Sequence, residues 1–170
     1  MTLNKFSKTV LLSLAFSGSL NAFALDSDRK QPIQIEADQA SLDQKNQVTT
    51  FSGNVIIKQG TLNFRAQNVR LSQDKNGNQS VSASGSPVYF SQQLENKGKV
   101  EGQGNKVEYS SATNVVKLVG NAKVQRGGDV ARGQSITYNT KTEVYSVLGG
   151  KSANGKSSSR VSIIIQPNSK

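Results

Sequence analysis

Apolar residues in this chain recur at every second position. In "PIQIEAD" Ile33, Ile35 and Ala37 fall on one face, and in "TLNFRA" Leu62 and Phe64 do the same. "SPVYFSQ" aligns Val88 with Phe90, and "RVSIIIQ" aligns Val161, Ile163 and Ile165. A period of two marks a strand with one face buried, because successive side chains leave a pleated backbone on opposite sides. No stretch of ten or more residues shows a convincing 3.6-residue period. Gly, Asn and Ser recur between the alternating segments, where turns and bends require them. The pattern predicts an all-β chain.

The alternation itself repeats. "FSGNVIIKQG" at 51–60 returns as "LVGNAKVQRG" at 118–127. A shift of 67 residues lays Gly53, Asn54, Gly60, Arg65 and Gln67 on Gly120, Asn121, Gly127, Arg132 and Gln134. It also lays Leu42 on Tyr109, Val48 on Val115, Phe51 on Leu118 and Val69 on Ile136. Weaker half-steps at Gly85 and Gly149 bring the glycine spacings to 32, 35 and 29. A period of this size predicts stacked units of two or three antiparallel strands, with a glycine where the chain bends. Gly-Asn suits either a tight hairpin turn or a bulge, and the sequence does not choose between them. An open array has two edges whose backbone groups invite another strand. "PIQIEA" and "RVSIIIQ" are the first and last apolar strands and carry little to guard them.

Composition supports strands. Beyond residue 24 the chain has 15 Val and 8 Ile against 7 Leu, and branched side chains suit a pleated surface. Residues 1–24 read differently. Lys5 and Lys8 precede the short apolar run "TVLLSLAF", and Ala22 and Ala24 occupy the positions a signal peptidase reads. This predicts a cleaved secretory leader at 1–24 and one exported domain at 25–170. The apolar run is about half of the roughly 20 residues a membrane span needs. The domain carries 19 Lys and Arg against 11 Asp and Glu, a charge of +8. That balance suits anionic partners or a solvated surface. Nucleic acid is disfavoured, because only seven aromatic residues follow the leader and they are spaced along strands.

Catalysis finds little support. The chain has no His and no Cys, so the commonest general base, thiol nucleophile and zinc ligands are missing. Glu36 and Asp38 look like a carboxylate pair, but a solvent-facing strand explains them better. "GQG" at 102–104 is not a phosphate loop, since no helix follows it. "DKNGNQS" at 74–80 is ordinary turn chemistry. Nothing implies a cofactor or a metal.

The ordered series I-x-I-E-A-D at 33–38, D-x7-F-x-G-N-V at 43–55, Q-G at 59–60, G-x-P-x-x-F at 85–90, V-E-G at 100–102 and L-x-G-N-A at 118–122 resembles the OstA-like family of periplasmic lipopolysaccharide transport proteins. The likeness covers about residues 31–150. It implies a long twisted antiparallel sheet folded as an open-ended β-jellyroll. It also implies a periplasmic protein of Gram-negative cells that binds lipopolysaccharide through lipid A. Such a protein joins an inner-membrane anchored transport component to an outer-membrane barrel component and self-associates end to end.

A folded sheet with an apolar inner face offers a slot for acyl chains. The expected lining is Ile33, Ile35, Phe51, Val55, Ile57, Leu62, Phe64, Val88, Phe90, Tyr109, Leu118 and Val124, with plain core packing as the competing role for each. Lys30, Lys58, Arg65, Arg70 and Arg132 are weaker candidates for phosphate or sugar contact near the slot mouth. Ile33, Ile35, Val161, Ile163 and Ile165 are the candidates for edge-strand contact with partners. Two alternatives stay open: the periplasmic domain of the inner-membrane partner with the same fold, and a non-catalytic saccharide-binding β-repeat protein.

Overall fold

The computed structural model describes residues 26–94, 98–151 and 157–167. The predicted leader lies outside them. A short helix, α1 (Asp26–Arg29), precedes the strands β1 (Gln34–Glu36), β2 (Gln39–Asp43), β3 (Val48–Gln59), β4 (Leu62–Gln73), β5 (Gln79–Leu94), β6 (Gly98–Ser110), β7 (Val115–Arg126), β8 (Asp129–Asn139) and β9 (Val144–Leu148). Then come β10 (Gly150–Lys151), β11 (Ser157–Ser159) and β12 (Ser162–Ile164). Ten strands form one antiparallel sheet in the order β1-β3-β4-β5-β6-β7-β8-β12. β2 also pairs with β3, and β9 also pairs with β8. Each edge is therefore a strand in two pieces. β1 and β2 follow the two halves of β3, while β12 and β9 follow the two halves of β8. At the second edge the chain leaves the sheet as the β10–β11 hairpin before returning as β12.

The Gly-Asn phrase is a bulge. Gly53 and Asn54 stand together where β4 offers one residue, between the pairs Ser52↔Asn68 and Val55↔Ala66. Gly120 and Asn121 do the same between Val119↔Ser135 and Ala122↔Gly133. All four are left-handed, with φ of 74°, 48°, 75° and 51°. Gly permits this at little cost and Asn tolerates it. Asp38 locks the first bulge: its amide donates to the Gly53 carbonyl at 2.9 Å and its carboxylate accepts from Asn54 Nδ2 at 3.0 Å. Asn105, 67 residues on, packs against Gly120. Register also shifts between Ser84 and Val88 on β5 and between Gln103 and Lys106 on β6. The irregularities line up across the sheet and fold every strand along one crease.

Phe64, Phe90 and Val124 on one side of the crease pack against the same buried core as Val69, Leu118 and Ile136 on the other. Burial pushes the Tyr138 and Tyr145 hydroxyls above the ordinary tyrosine range.

Turn chemistry repeats with the strands. Asp43↔Val48, Ser110↔Val115 and Asn139↔Val144 each flank a four-residue loop. Each loop ends on a left-handed residue, Gln47, Asn114 or Glu143. Side-chain acceptors organise the loops, as where Asn139 Oδ1 takes the amides of Lys141 and Thr142 at 2.9 Å. Hydrogen bonds from Asn46 hold Asp43 below the usual carboxylate range, and those from Asn78 do the same for Asp74 in the 74–78 turn.

The β3–β4 and β7–β8 turns have two residues each and begin on left-handed Gly60 (φ 55°) and Gly127 (φ 57°). They differ in surroundings. A Cβ on Gly60 would strike Asp28, which is 4 % exposed and accepts a hydrogen bond from Thr61 Oγ1, whereas Gly127 faces open space. Gly127→Ala is expected to cost only the left-handed backbone term, about 1–2 kcal/mol. Gly60→Ala should cost roughly 1–2 kcal/mol more, because Asp28 must leave its buried seat. Chemical denaturation of the two variants measures the difference, and equal losses would mean that Asp28 does not seat on the turn.

Candidate functional site

Register gathers the apolar positions into continuous rows. Ile35↔Ile57↔Phe64↔Phe90↔Gly102↔Val124↔Ala131↔Ile163 runs from one edge to the other. Beyond the crease, Ala40↔Phe51↔Val69↔Ala83↔Val107↔Leu118↔Ile136↔Val147 makes a second such row. Leu42↔Thr49↔Leu71↔Val81↔Tyr109↔Val116↔Tyr138↔Tyr145 makes a third. All share the face that carries the core, so the creased sheet is a trough whose lining never breaks from edge to edge.

Apart from Ile33, which precedes β1 and belongs to no strand pair, the predicted lining residues belong to this face, and burial divides them. Val88 is 0 % exposed, Val55 1 %, Leu118 2 % and Tyr109 7 %. These four act as core, each burial of an aliphatic side chain being worth about 1.5–3 kcal/mol. Ile35, Phe51, Ile57, Leu62, Phe64, Phe90 and Val124 are only half-buried, and Ile33 is exposed. They keep part of their surface open to solvent. The Phe90 ring lies where a Cβ on Gly102 would stand, so glycine on β6 makes room for the aromatic ring of β5. That is the work of the first glycine of "GQG", and Gly104 packs against Leu118. Glu36 and Asp38 do not act together either. Glu36 accepts from Gln34 Nε2 at 2.9 Å on the outer face, and Asp38 braces the bulge.

The basic candidates are placed elsewhere than expected. Lys58, Arg65, Arg70 and Arg132 pair across strands with residues of the opposite, outer face, in the row Ile56↔Arg65↔Tyr89↔Gln103↔Lys123↔Arg132 and its neighbours. Lys30 is exposed between α1 and β1. The four strand cations thus point away from the trough rather than into its mouth, because the period-two alternation that buries Phe64 turns Arg65 outward. Sequence reasoning missed Arg126. It stands on the inner parity, two residues beyond Val124 and paired with Asp129 across the turn. The 67-residue shift lays it on Gln59, whose neighbour Leu62 is inward, and that was the available signal.

Among the described residues both edges are apolar and uncovered. Among the described residues the exposed large hydrophobics are Ile33 and Leu42 at one edge and Val144, Tyr145, Leu148, Val161, Ile163, Ile164 and Ile165 at the other. None lies on a central strand.

Residues 34–144 match the family described as LptA/(LptD N-terminal domain) LPS transport protein. The chain belongs to this family. Members similar to it over nearly their whole length include the lipopolysaccharide export system protein LptA of Haemophilus influenzae, 36% identical over 94% of this chain and 91% of that one. LptA of Escherichia coli (strain K12) is 36% identical over 96% of this chain and 87% of its own. A solved family structure, Pseudomonas aeruginosa LptH, superimposes with a TM-score of 0.66 at 34% identity and covers 83% of this chain and 99% of its own. That protein is described as the LptA-homologous periplasmic component of a lipopolysaccharide transport device. The likeness read from "IQIEAD" to "LVGNA" therefore stands, and with it the all-β fold.

Proposed function

We propose that this protein carries lipopolysaccharide through the periplasm, shielding lipid A acyl chains in its trough. Its two open edges pair with other sheets: the inner-membrane anchored transport component, the outer-membrane barrel component and further copies of itself. The observation that carries the reading is the apolar row from Ile35 to Ile163, continuous between two uncovered apolar edges. Exposing one ~12-carbon acyl chain to water costs about 10 kcal/mol at ~0.8 kcal/mol per methylene. A lipid therefore needs apolar cover without a gap, and a trough that ran into a closed end would strand it.

The deciding experiment compares binding of the mature protein, residues 25–170, to intact lipopolysaccharide and to the same molecule stripped of acyl chains. Binding of the acylated form alone is expected. Equal binding would mean that the basic outer face makes the contact and would favour a saccharide-binding protein. A photo-crosslinking residue at Phe64 or Phe90 should label with lipopolysaccharide, and one at Lys75, in the exposed 74–78 turn, should not. Equal labelling at all three positions would remove the trough from the mechanism.

A further inference from the structure

The outer face of the sheet divides its charge unevenly between the two flanks of the crease. Among the described residues, the flank that carries β1 and β12 turns out Lys58, Arg65, Lys99, Lys123 and Arg132 with Glu36 and Glu101, five cations against two carboxylates and a net charge of +3. The flank that carries β2 and β9 is filled largely by hydroxyls, as in the rows Thr50↔Arg70↔Ser82 and Ser72↔Ser80↔Ser110. On the basic flank Glu101 Oε1 holds Lys99 at 2.6 Å and the Tyr89 hydroxyl at 3.0 Å, with Lys123 farther off. Glu36 accepts from Gln34 Nε2 at 2.9 Å. Among the described residues the other four cations have no ion-pair partner, and Lys58, Arg65 and Arg132 are exposed. Lys123 stands directly opposite Arg132, which costs stability because like charges meet across the strands. A need for solubility alone would be met by spreading these charges over both flanks.

We propose that this basic flank docks on an anionic lipid leaflet. Arg65, Lys123 and Arg132 share one row, on β4, β7 and β8, immediately beside the crease and on its convex side. From Arg65 to Arg132 is four strand steps, about 19 Å at ~4.8 Å per strand. One phosphate can reach Lys123 and Arg132 together but not Arg65 as well, so the partner carries many anions. An acidic protein would need carboxylates at matching intervals and an anchor for the contact, usually an aromatic or arginine side chain seated in a pocket. The only aromatic residue of the row is Tyr89, and its hydroxyl is committed to Glu101. A leaflet presents phosphates at every spacing, and cations gain from its negative potential without matched geometry. Docked in this way the protein keeps its trough open on the opposite side, so the contact leaves the inner face free.

The test is co-sedimentation of a protein comprising residues 25–170 with vesicles of phosphatidylcholine alone and of phosphatidylcholine and phosphatidylglycerol in equal parts. Binding to the anionic vesicles alone is expected, and added salt should weaken it by screening. Each cation near such a leaflet is worth about fivefold in affinity, so Arg65→Gln with Arg132→Gln should weaken binding at least about tenfold. Lys75→Gln with Lys141→Gln removes the same charge from two turns at the far lip and should change binding by less than about twofold. Arg65→Lys with Arg132→Lys should bind as the wild type does, since a leaflet reads charge and not the shape of the guanidinium. All four side chains changed are exposed, and thermal melting checks that each variant folds. Absence of binding to the anionic vesicles, or equal losses in the two glutamine pairs, overturns the proposal. So does failure of the lysine pair, or equally tight binding of poly-glutamate, either of which would assign the flank to an acidic protein.

Discussion

Gly53→Val is expected to lower the melting temperature of a protein comprising residues 25–170 by on the order of 10 °C. Two costs combine. Gly53 holds φ at 74°, where a side chain loses about 1–2 kcal/mol, more when it branches at Cβ. The new Cβ would also occupy the space of the Asp38 carboxylate, and displacing it breaks the hydrogen bond that the carboxylate accepts from Asn54 Nδ2. Overpacking of this kind costs about 1–3 kcal/mol, so the total is roughly 3–4 kcal/mol. Gly53→Ala combined with Asp38→Gly separates the two: every Asp38 side-chain atom that the new Cβ would meet is gone and the left-handed backbone cost at residue 53 stays. A Gly53→Val protein that melts within about 2 °C of wild type, a difference worth under ~1 kcal/mol, would show that the first bulge does not need its glycine.

The second large effect concerns the edges. Ile163→Lys with Ile165→Lys is expected to weaken self-association at least tenfold while leaving the monomer as stable as before. Ile163 is 58 % exposed and Ile165 is 75 % exposed, so little core packing is lost. A lysine on an edge strand must be desolvated when another strand docks over it, which is the device soluble sheet proteins use to keep edges unpaired. Light scattering over a concentration series reads the outcome, with thermal melting as the control for folding. An unchanged size distribution would mean that copies of the chain do not add to one another through β12.

Much of this organisation was legible in the sequence. Period two named the strands, and the 67-residue echo paired β3–β4 with β7–β8 before any register was known. The first and last apolar segments fell at the edges because an array of hairpin-linked strands leaves its termini there. What stayed hidden depends on distance through space. Whether Gly-Asn turned the chain or bulged it needed the partner strand, because both uses demand the same positive φ. Phe64 and Val88 looked alike as inner residues, yet one is half-buried and the other sealed, since Val88 sits on the crease where the two halves of the sheet close. Arg126 was invisible as an inward residue because it ends a strand and precedes Gly-Gly, the composition of any solvent-exposed turn.

The echo between the two bulges also acts as a ruler. One 67-residue period carries the chain from β3 to β7, four strand positions along the sheet, which at ~4.8 Å per strand is about 19 Å of travel along the axis of the trough. The bulge recurs at the same point of each period. Evolution, or a designer copying residues 38–104 once more, could lengthen the passage in fixed increments without redesigning the surface that meets the cargo.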